Sequence, residues 1–446
     1  MFPKKNVLLI NPWIYDFTAY DFWAKPLGLL YLASLLRRHT GFSTYFIDCL
    51  DRYHPLLDKR TGSKADGRGP FPKEEVTKPR ILDGIPRKYS RYGIPVHLFE
   101  RELDRVPRPD LVLLTCAMTY WYPGVQMVVE LVRKKFGSVP LILGGIYPTL
   151  VPQHALSQTG VDFICRGPGE REIFDLINSA LGDGTCPSLS FESLDELPLP
   201  AFDLLRDRSS LPLLTSRGCL SSCSFCACSL LYPRLEQRSV FSVLRELDII
   251  CKLYRPVNIS FYDDALLLNK SKHILPLLKG IIDKNFPFKF HTPNGLHVGE
   301  IDRDLAFLLK QAGFLSLYLS QETFDEDLIQ QSCPKVSTDG LGKTLDHLEK
   351  AGFERAKINV YLIVGLPGQS PSAVEESVRR VLRLGARPRL AYFSPIPGTA
   401  DWERLISAGR MEGDADPLLH NKLVFSYLWG DISQEDLKYF KSLGYP

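Results

Sequence analysis

Three cysteines, Cys219, Cys223 and Cys226, stand four and three residues apart. Side chains this close share one short loop, so their sulfurs can converge on one small object. Thiolates are the normal ligands of iron–sulfur clusters, and a 4Fe–4S cluster is satisfied by four. Three leave one iron open to bind and transform a substrate, as an open position separates a catalytic zinc from a structural one. Gly218, Ser221 and Ser222 suit a tight loop whose backbone N–H groups face sulfur. A structural zinc loop or a disulfide pair is the alternative use of this spacing. Zinc would want a fourth ligand. Cys228 could supply it, but crowding against Cys226 favours a small buried side chain there.

With the aromatic Phe225 just before the third cysteine, this stretch resembles the signature of the radical S-adenosylmethionine (radical SAM) enzymes. The resemblance implies that the open iron chelates the amino and carboxylate groups of SAM. One electron then cleaves the sulfonium to give a 5′-deoxyadenosyl radical.

Composition narrows the setting. A chain of 446 residues predicts two or three domains. A formal charge of +3 is too small to argue for a nucleic-acid partner. Ten cysteines are too sparse for a secreted disulfide framework, which predicts a reducing compartment. The apolar run near the start is too short for a signal peptide or a membrane span. A cytoplasmic protein with no membrane partner is expected.

The elements that must position the cysteines follow from the alternation of apolar runs. Residues 6–11, 43–48, 110–116, 140–145 and 161–166 read as buried strands. Helices opening at Pro26, spanning 124–135 and ending near Leu181 lie between or after them. Strands alternating with helices predict a parallel sheet, so residues 1–190 are expected to form a Rossmann-like domain. Such sheets bind ligands beyond the carboxyl ends of their strands, here the loops 12–25, 117–123, 144–152 and 167–170. Residues 51–107 show no clean period and are expected to be a largely irregular insertion, with Arg87, Lys88 and Arg91 on a solvated basic face. His54 in that segment is expected to be a packing or surface residue. A proline-punctuated linker, 191–210, follows.

This domain is similar to the cobalamin-binding domain found ahead of many radical SAM domains. The turns carrying the likeness are Gly144, Gly145 and Thr149, then residues 162–170. The two glycines would let the backbone approach a flat ring or nucleotide tail. The Asp-x-His-x-x-Gly motif that ligates cobalt in cobalamin carriers is missing after the first strand, where Trp13 to Phe17 include no histidine. Many radical SAM relatives lack it and hold cobalamin without a protein ligand.

From residue 211 to 405 the alternation runs through six strand–helix repeats, with polar residues at each carboxyl strand end. That predicts a partial (β/α)6 barrel with its site at that face. The fold class is α/β throughout. The tail, 406–446, is expected to pack a helix and a strand back on the barrel.

Carried onto this chain, the resemblance places Asp263 and Asp264 at the methionine amino group of SAM, where the family more often has Gly-Gly-Glu. It places Glu322 at the ribose or amino groups. Gly365, Pro367 and Pro395 stand in the turns that embrace adenine, with Phe225 packed beside it. Asn294, in Thr292-Pro-Asn-Gly295, is placed either for a polar contact with substrate or SAM or for a role in its turn. Cobalamin contacts fall on Gly144, Gly145 and Thr149. No residue is assigned to the bond-making step. The implied cofactors are a 4Fe–4S cluster, SAM and cobalamin. The implied reaction is methyl transfer to an unactivated centre of a small molecule or natural-product precursor, using an external electron donor such as flavodoxin or ferredoxin. A radical rearrangement without methyl transfer is the alternative, and a redox protein that never cleaves SAM is the third.

Overall fold

The computed structural model describes residues 4–57, 62–182 and 184–444, so part of the insertion, 58–61, and the two chain ends lie outside the described residues. The chain divides into two compact units, Met1–Arg208 and Ser209–Pro446.

The first unit is built on five parallel strands: β1 (Asn6–Asn11), β2 (Ser43–Asp48), β3 (Leu111–Cys116), β4 (Leu141–Gly145) and β5 (Phe163–Ile164). Their order across the sheet is β5-β4-β3-β1-β2, and every pairing is parallel. Val7, Leu8, Leu9 and Ile10 are all completely buried. A strand with both faces covered reads as a continuous apolar run, which is why it was visible in the sequence. Helices α1 (Leu27–His39), α2 (Tyr122–Phe136) and α3 (Gly169–Leu181) cross between or follow the strands. The order reverses between β1 and β3. In open α/β sheets the crevice beyond the carboxyl ends at such a reversal is the usual ligand site.

The insertion is more ordered than expected. Ser90–Tyr92 pairs antiparallel with Ile14–Asp16 and with Lys73–Glu75. Tyr20–Asp21 pairs with Gly69–Pro70, and Val96–Arg105 is a helix. The insertion therefore folds onto the loop after β1, burying Ile14, Leu50, Phe71 and Tyr92 in one apolar cluster. Of the three basic residues expected on a solvated face, Arg87 and Lys88 are exposed, Lys88 meeting Glu75, while Arg91 is buried and meets Glu74. The linker is not free either. Ser34 on α1 donates to Leu199 O at 2.6 Å, and Ala201 N donates to Leu30 O at 3.0 Å.

The second unit is an arc of parallel strands: β6 (Ser210–Leu213), β7 (Asn258–Phe261), β8 (Lys289–His291), β9 (Phe314–Ser316), β10 (Tyr318–Glu322), β11 (Asn359–Val364) and β12 (Arg387–Tyr392). The fourth strand position is broken at Leu317. Its first half, β9, pairs with β8, and its second half, β10, pairs with β11. The six positions of the partial barrel thus appear as two four-stranded sheets, the second completed by the short strand Leu296–His297.

Helices α4 (Val240–Leu253), α5 (Ile274–Lys284), α6 (Arg303–Gln311), α7 (Gly340–Lys350) and α8 (Pro371–Arg383) alternate with the strands. Side-chain caps start several of them: Ser239 accepts from Ser242 N, Asp302 from Leu305 N and Ser370 from Ala373 N. Each satisfies an N–H left open by the first helical turn. The expected strand in the tail is absent among the described residues. Beyond β12 the chain forms the helices Ala400–Ser407, Lys422–Leu428 and Gln434–Gly444. Trp402, Leu405 and Phe425 from the first two pack against Ile363, Leu366 and Phe393, which closes the exposed end of the arc.

Candidate functional site

Just beyond the carboxyl end of β6 the chain enters a loop closed by a two-residue antiparallel ladder, Ser216 with Gln237 and Arg217 with Glu236. The three cysteines lie inside it. Gly218 has φ +91, and a Cβ there would sit 2.5 Å from Arg234 O, so only glycine allows the return strand to close. Ser221 N donates to Cys219 Sγ at 3.4 Å, the N–H···S contact expected from the small polar residues. Cys219 and Cys223 are half-buried and Cys226 is exposed. Burial pushes the Cys223 thiol up to about 11 and raises Cys226, with charge on neighbouring sulfurs adding to both. Cys223 and Cys226 therefore favour the protonated thiol, and taking up a metal would release those protons. The donor chemistry fits an iron–sulfur cluster: three soft sulfurs on one short loop, with the Ser221 N–H already directed at sulfur.

Groups far away in sequence hold this loop. Asp263, at the end of β7, is 2% exposed and accepts from Thr215 N at 3.2 Å, Thr215 Oγ1 at 2.5 Å and Ser216 Oγ at 2.6 Å. Burial pushes its carboxyl up to about 6 against those three donors. Asp263 is thus committed to shaping the loop from within the barrel wall. Its neighbour Asp264 points the other way, accepts from Gly218 N at 2.9 Å and stays exposed. On the far side Ser224 donates to the fully buried Asp401 at 2.7 Å, and Ser224 N donates to Ser332 O at 3.0 Å. Cys228 is not the buried apolar residue expected. It is half-buried, begins the short helix Cys228–Leu231 and lies within the field of the Asp264 carboxyl.

A cavity of about 240 Å³ opens at this end of the barrel, lined by Cys219, Asp264, Gly295, His297, Glu300 and Lys335, with residues 265–268 as a mainly apolar wall. Glu322 stands nearby in a strained conformation. Its φ is +63, and the register between β10 and β11 slips between Ser320 and Glu322. Bulges of this kind re-aim a side chain and recur beside active sites. Burial raises the Glu322 carboxyl, while Lys335, its Nζ 3.8 Å away, opposes that. Asn294 is tied down, its Nδ2 donating to Tyr262 O and Asp263 O, so it acts as a turn clamp.

The turns assigned to adenine lie on the same strand ends. Gln369 shapes the 365–369 turn: its Oε1 accepts from Gly365 N at 2.8 Å and its Nε2 donates to Ile363 O at 3.0 Å. Pro367 is half-buried and Pro395 buried. Phe225 packs against the cluster containing Ile363, Leu366 and Phe393, which joins the cysteine loop to those turns. Sequence reasoning missed Lys335, His297, Ser224 and Asp401. Asp401 alone carried a local signal, standing just after the helix cap Thr399.

In the first unit, Thr115 pairs with Gly144 and Cys116 with Gly145 in the register of β3 and β4. Gly145 has φ +102, and a Cβ would meet Cys116 O at 2.6 Å, so this glycine is demanded by the sheet itself. Gly144 has room, its Cβ position meeting nothing closer than 3.7 Å, and Gly167 faces open space. Thr149 clamps the two turns, donating to Gly145 O at 2.7 Å and accepting from Gly167 N at 2.9 Å. Ala117 and Met118 are exposed just past β3. Open backbone and uncharged exposed side chains fit a broad, flat ring held by shape.

After β1 stand Trp13, Tyr15 and Asp16 in place of a cobalt-ligating histidine, and Asp16 accepts from Trp121 Nε1 at 2.9 Å. His54 is a packing residue as expected, buried with Nε2 3.2 Å from Glu102 Oε1. It lines a separate cavity of about 220 Å³ beyond β2, where Arg206 bridges Asp51 and Glu102.

The radical SAM superfamily model matches residues 213–381, and the B12 binding domain model matches residues 92–176, beginning within the last part of the insertion. An uncharacterized methyltransferase of Synechocystis is 25% identical over 335 residues, covering 71% of this chain and 61% of its own length. The chain therefore spans less than two thirds of that relative. The solved structure of the radical SAM methyltransferase TsrM from Kitasatospora setae, with cobalamin and a 4Fe–4S cluster bound, superposes with a TM-score of 0.66 over 91% of this chain and 78% of that one, at 16% identity. The cobalamin-dependent SAM radical enzyme OxsB, with aqua-cobalamin and SAM bound, gives 0.67 over 98% and 66%, at 15% identity. At these identities the two structures show a shared fold. The two domain matches, with the three-cysteine loop at the carboxyl end of the first barrel strand, identify residues 213–381 as a radical SAM domain and residues 92–176, ahead of it, as a B12-binding domain.

Proposed function

We propose that this protein reductively cleaves SAM at a 4Fe–4S cluster and, with cobalamin in its first unit, transfers a methyl group to an unactivated centre of a small molecule or natural-product precursor. The observation that carries this reading is the cavity in which Cys219 of the cysteine loop meets Asp264 and Lys335 at the carboxyl end of the barrel. When bound, the cluster and SAM would supply the radical initiator and cobalamin the methyl carrier. Cys219, Cys223 and Cys226 hold the cluster. Asp264 and Glu322 offer carboxylates to the SAM ammonium, where charge-assisted hydrogen bonds are strong. Asp263 acts through the loop it shapes, and Phe225, Gly365, Pro367 and Pro395 surround the adenine. Gly144 leaves room for the ring, while Gly145 and Thr149 fix the turns around it.

The relatives point the same way. The Synechocystis relative carries a methyltransferase name. A second TsrM structure holds a tryptophan substrate and a SAM analogue, which supports a small-molecule substrate here. No helix among the described residues is long and apolar enough to cross a membrane. In this reading the protein works in the cytoplasm, takes electrons from a flavodoxin or ferredoxin, and has no nucleic-acid partner.

The test is anaerobic incubation of cluster- and cobalamin-loaded protein with dithionite and methyl-deuterated SAM. Formation of 5′-deoxyadenosine and S-adenosylhomocysteine is expected. 5′-Deoxyadenosine alone would replace methyl transfer with another radical reaction. Neither product from protein with a full cluster, combined with loss of iron on Cys228→Ala, would make this a redox protein instead.

A further inference from the structure

We propose that Lys335 sets the reduction potential of a cluster held by Cys219, Cys223 and Cys226, with Glu322 as the opposing charge. The inference rests on the functional reading above for the cluster itself. It concerns two residues that the three-cysteine pattern does not include.

Lys335 is fixed in place from three directions. Its segment follows the helix Glu326–Ser332, whose last residue accepts the hydrogen bond from Ser224 N inside the cysteine loop, at 3.0 Å. His297 Nε2 donates to Lys335 O. Gln321, fully buried beside Glu322, donates to Ser337 O at 3.0 Å. The cysteine loop, the loop after β8 and the end of β10 thus hold one short stretch of backbone. A long, mobile side chain gains a defined anchor by this arrangement, and Lys335 lines the cavity with Cys219 and Asp264.

The charges around it are arranged asymmetrically. Burial works against an ammonium at Lys335, but Glu322 and then Cys223, Cys219 and Cys226 outweigh it. The Glu322 contact, at 3.8 Å, is loose for an ion pair, and Lys335 lines the same cavity as Cys219. Glu322 is aimed there by a left-handed backbone conformation, which a glutamate adopts only against a steric cost. A 4Fe–4S core on three thiolates is already anionic, and accepting an electron makes it more so. An ammonium in a half-buried setting stabilises the reduced form more than the oxidised one, and a carboxylate does the opposite. The two residues therefore push the potential in opposite directions.

Wild-type protein and the variants K335M, K335R and E322Q would be reconstituted anaerobically and titrated with dithionite in the absence of SAM. The reduced cluster is followed by electron paramagnetic resonance, with iron content measured on each sample. K335M is expected to lower the constant for one-electron reduction about tenfold, a shift of about 59 mV to more negative potential. K335R is expected to stay near wild type, and E322Q to move positive. A merely structural role for either residue predicts no such opposition of sign. Full iron content with potentials that do not shift, or that shift in the same direction for K335M and E322Q, overturns the inference alone. Wild-type protein that assembles no cluster overturns the functional reading and this inference with it.

Discussion

The cysteine end of the barrel and the turn end of the first sheet are built on opposite principles. Around Cys219 the shape is imposed by polar side chains: the buried Asp263 holds Thr215 and Ser216, the buried Asp401 holds Ser224, and the exposed Asp264 holds Gly218. Around Gly144 it is imposed by the backbone, with Thr149 as the one side-chain clamp identified between the two turns. A metal cluster needs donor atoms held at set positions, so its loop must be tied down. A broad ring needs an open, uncharged shelf, so its edge is made of glycine and exposed apolar residues. The two sites should accordingly fail in different ways.

The largest effect is expected at the cysteines. Alanine at Cys219, Cys223 or Cys226 should bring iron to background and abolish SAM cleavage while leaving corrinoid content unchanged, as read by iron analysis and corrinoid extraction. Next comes Asp263→Asn, which keeps one acceptor oxygen and loses the charge that gathers three donors. We expect a cost of about 2–4 kcal/mol in urea unfolding of the second unit, with weaker cluster retention. Asp264→Asn, on the exposed side of the same strand end, should leave stability nearly unchanged and raise the KM for SAM.

The turn end yields a paired test. Gly145→Ala should destabilise the first unit by about 1–3 kcal/mol, because φ +102 and the Cys116 carbonyl both exclude a Cβ. Gly144→Val should change its melting temperature little and reduce corrinoid retention. If the two glycines behave alike, the shelf at Gly144 is not a binding surface.

The smallest effect is a pH dependence in the first unit. Burial, with Asp51 second, pushes Asp48 up to about 6. A carboxyl raised in this way lends its stability below the ordinary value near 4, and that stability is lost as the pH rises through about 6. Asp48→Asn cannot ionise, and Oδ1 can still accept from Asn11 Nδ2 and Leu50 N. The variant should unfold about 1–3 kcal/mol harder than wild type at pH 8, with the difference vanishing below pH 4. Urea titrations across that range would measure it.

The strand–helix alternation was legible in the sequence because each element is long and one-sidedly or wholly apolar. Helices 240–253 and 274–284 begin and end where periodicity and caps place them. The break at Leu317 was not legible, since a strand that changes partners midway keeps the same apolar pattern. Nor were the strands of the insertion. Lys73–Glu75 is all charged and exposed, so no apolar alternation marks it as a strand. The helix Val96–Arg105 did carry a signal, Pro95 ahead of apolar residues at helical spacing, which the surrounding glycines and prolines masked. At the cysteine loop the spacing pointed to the ligands directly. The division of labour between Asp263 and Asp264 was not readable, because adjacent strand-end residues differ only in the side they face. Lys335 and Asp401 reach the loop from more than a hundred residues away, and no local pattern marks such contacts.

The central claim is that one chain carries both a cluster loop and a corrinoid shelf. It is tested most directly by expressing the protein anaerobically in cobalamin-replete cells and measuring extracted corrinoid and iron per chain by mass spectrometry and metal analysis. The account predicts near-stoichiometric corrinoid together with a full cluster. A full cluster with no corrinoid would contradict it, leaving the first unit as a scaffold and the reaction without a methyl carrier.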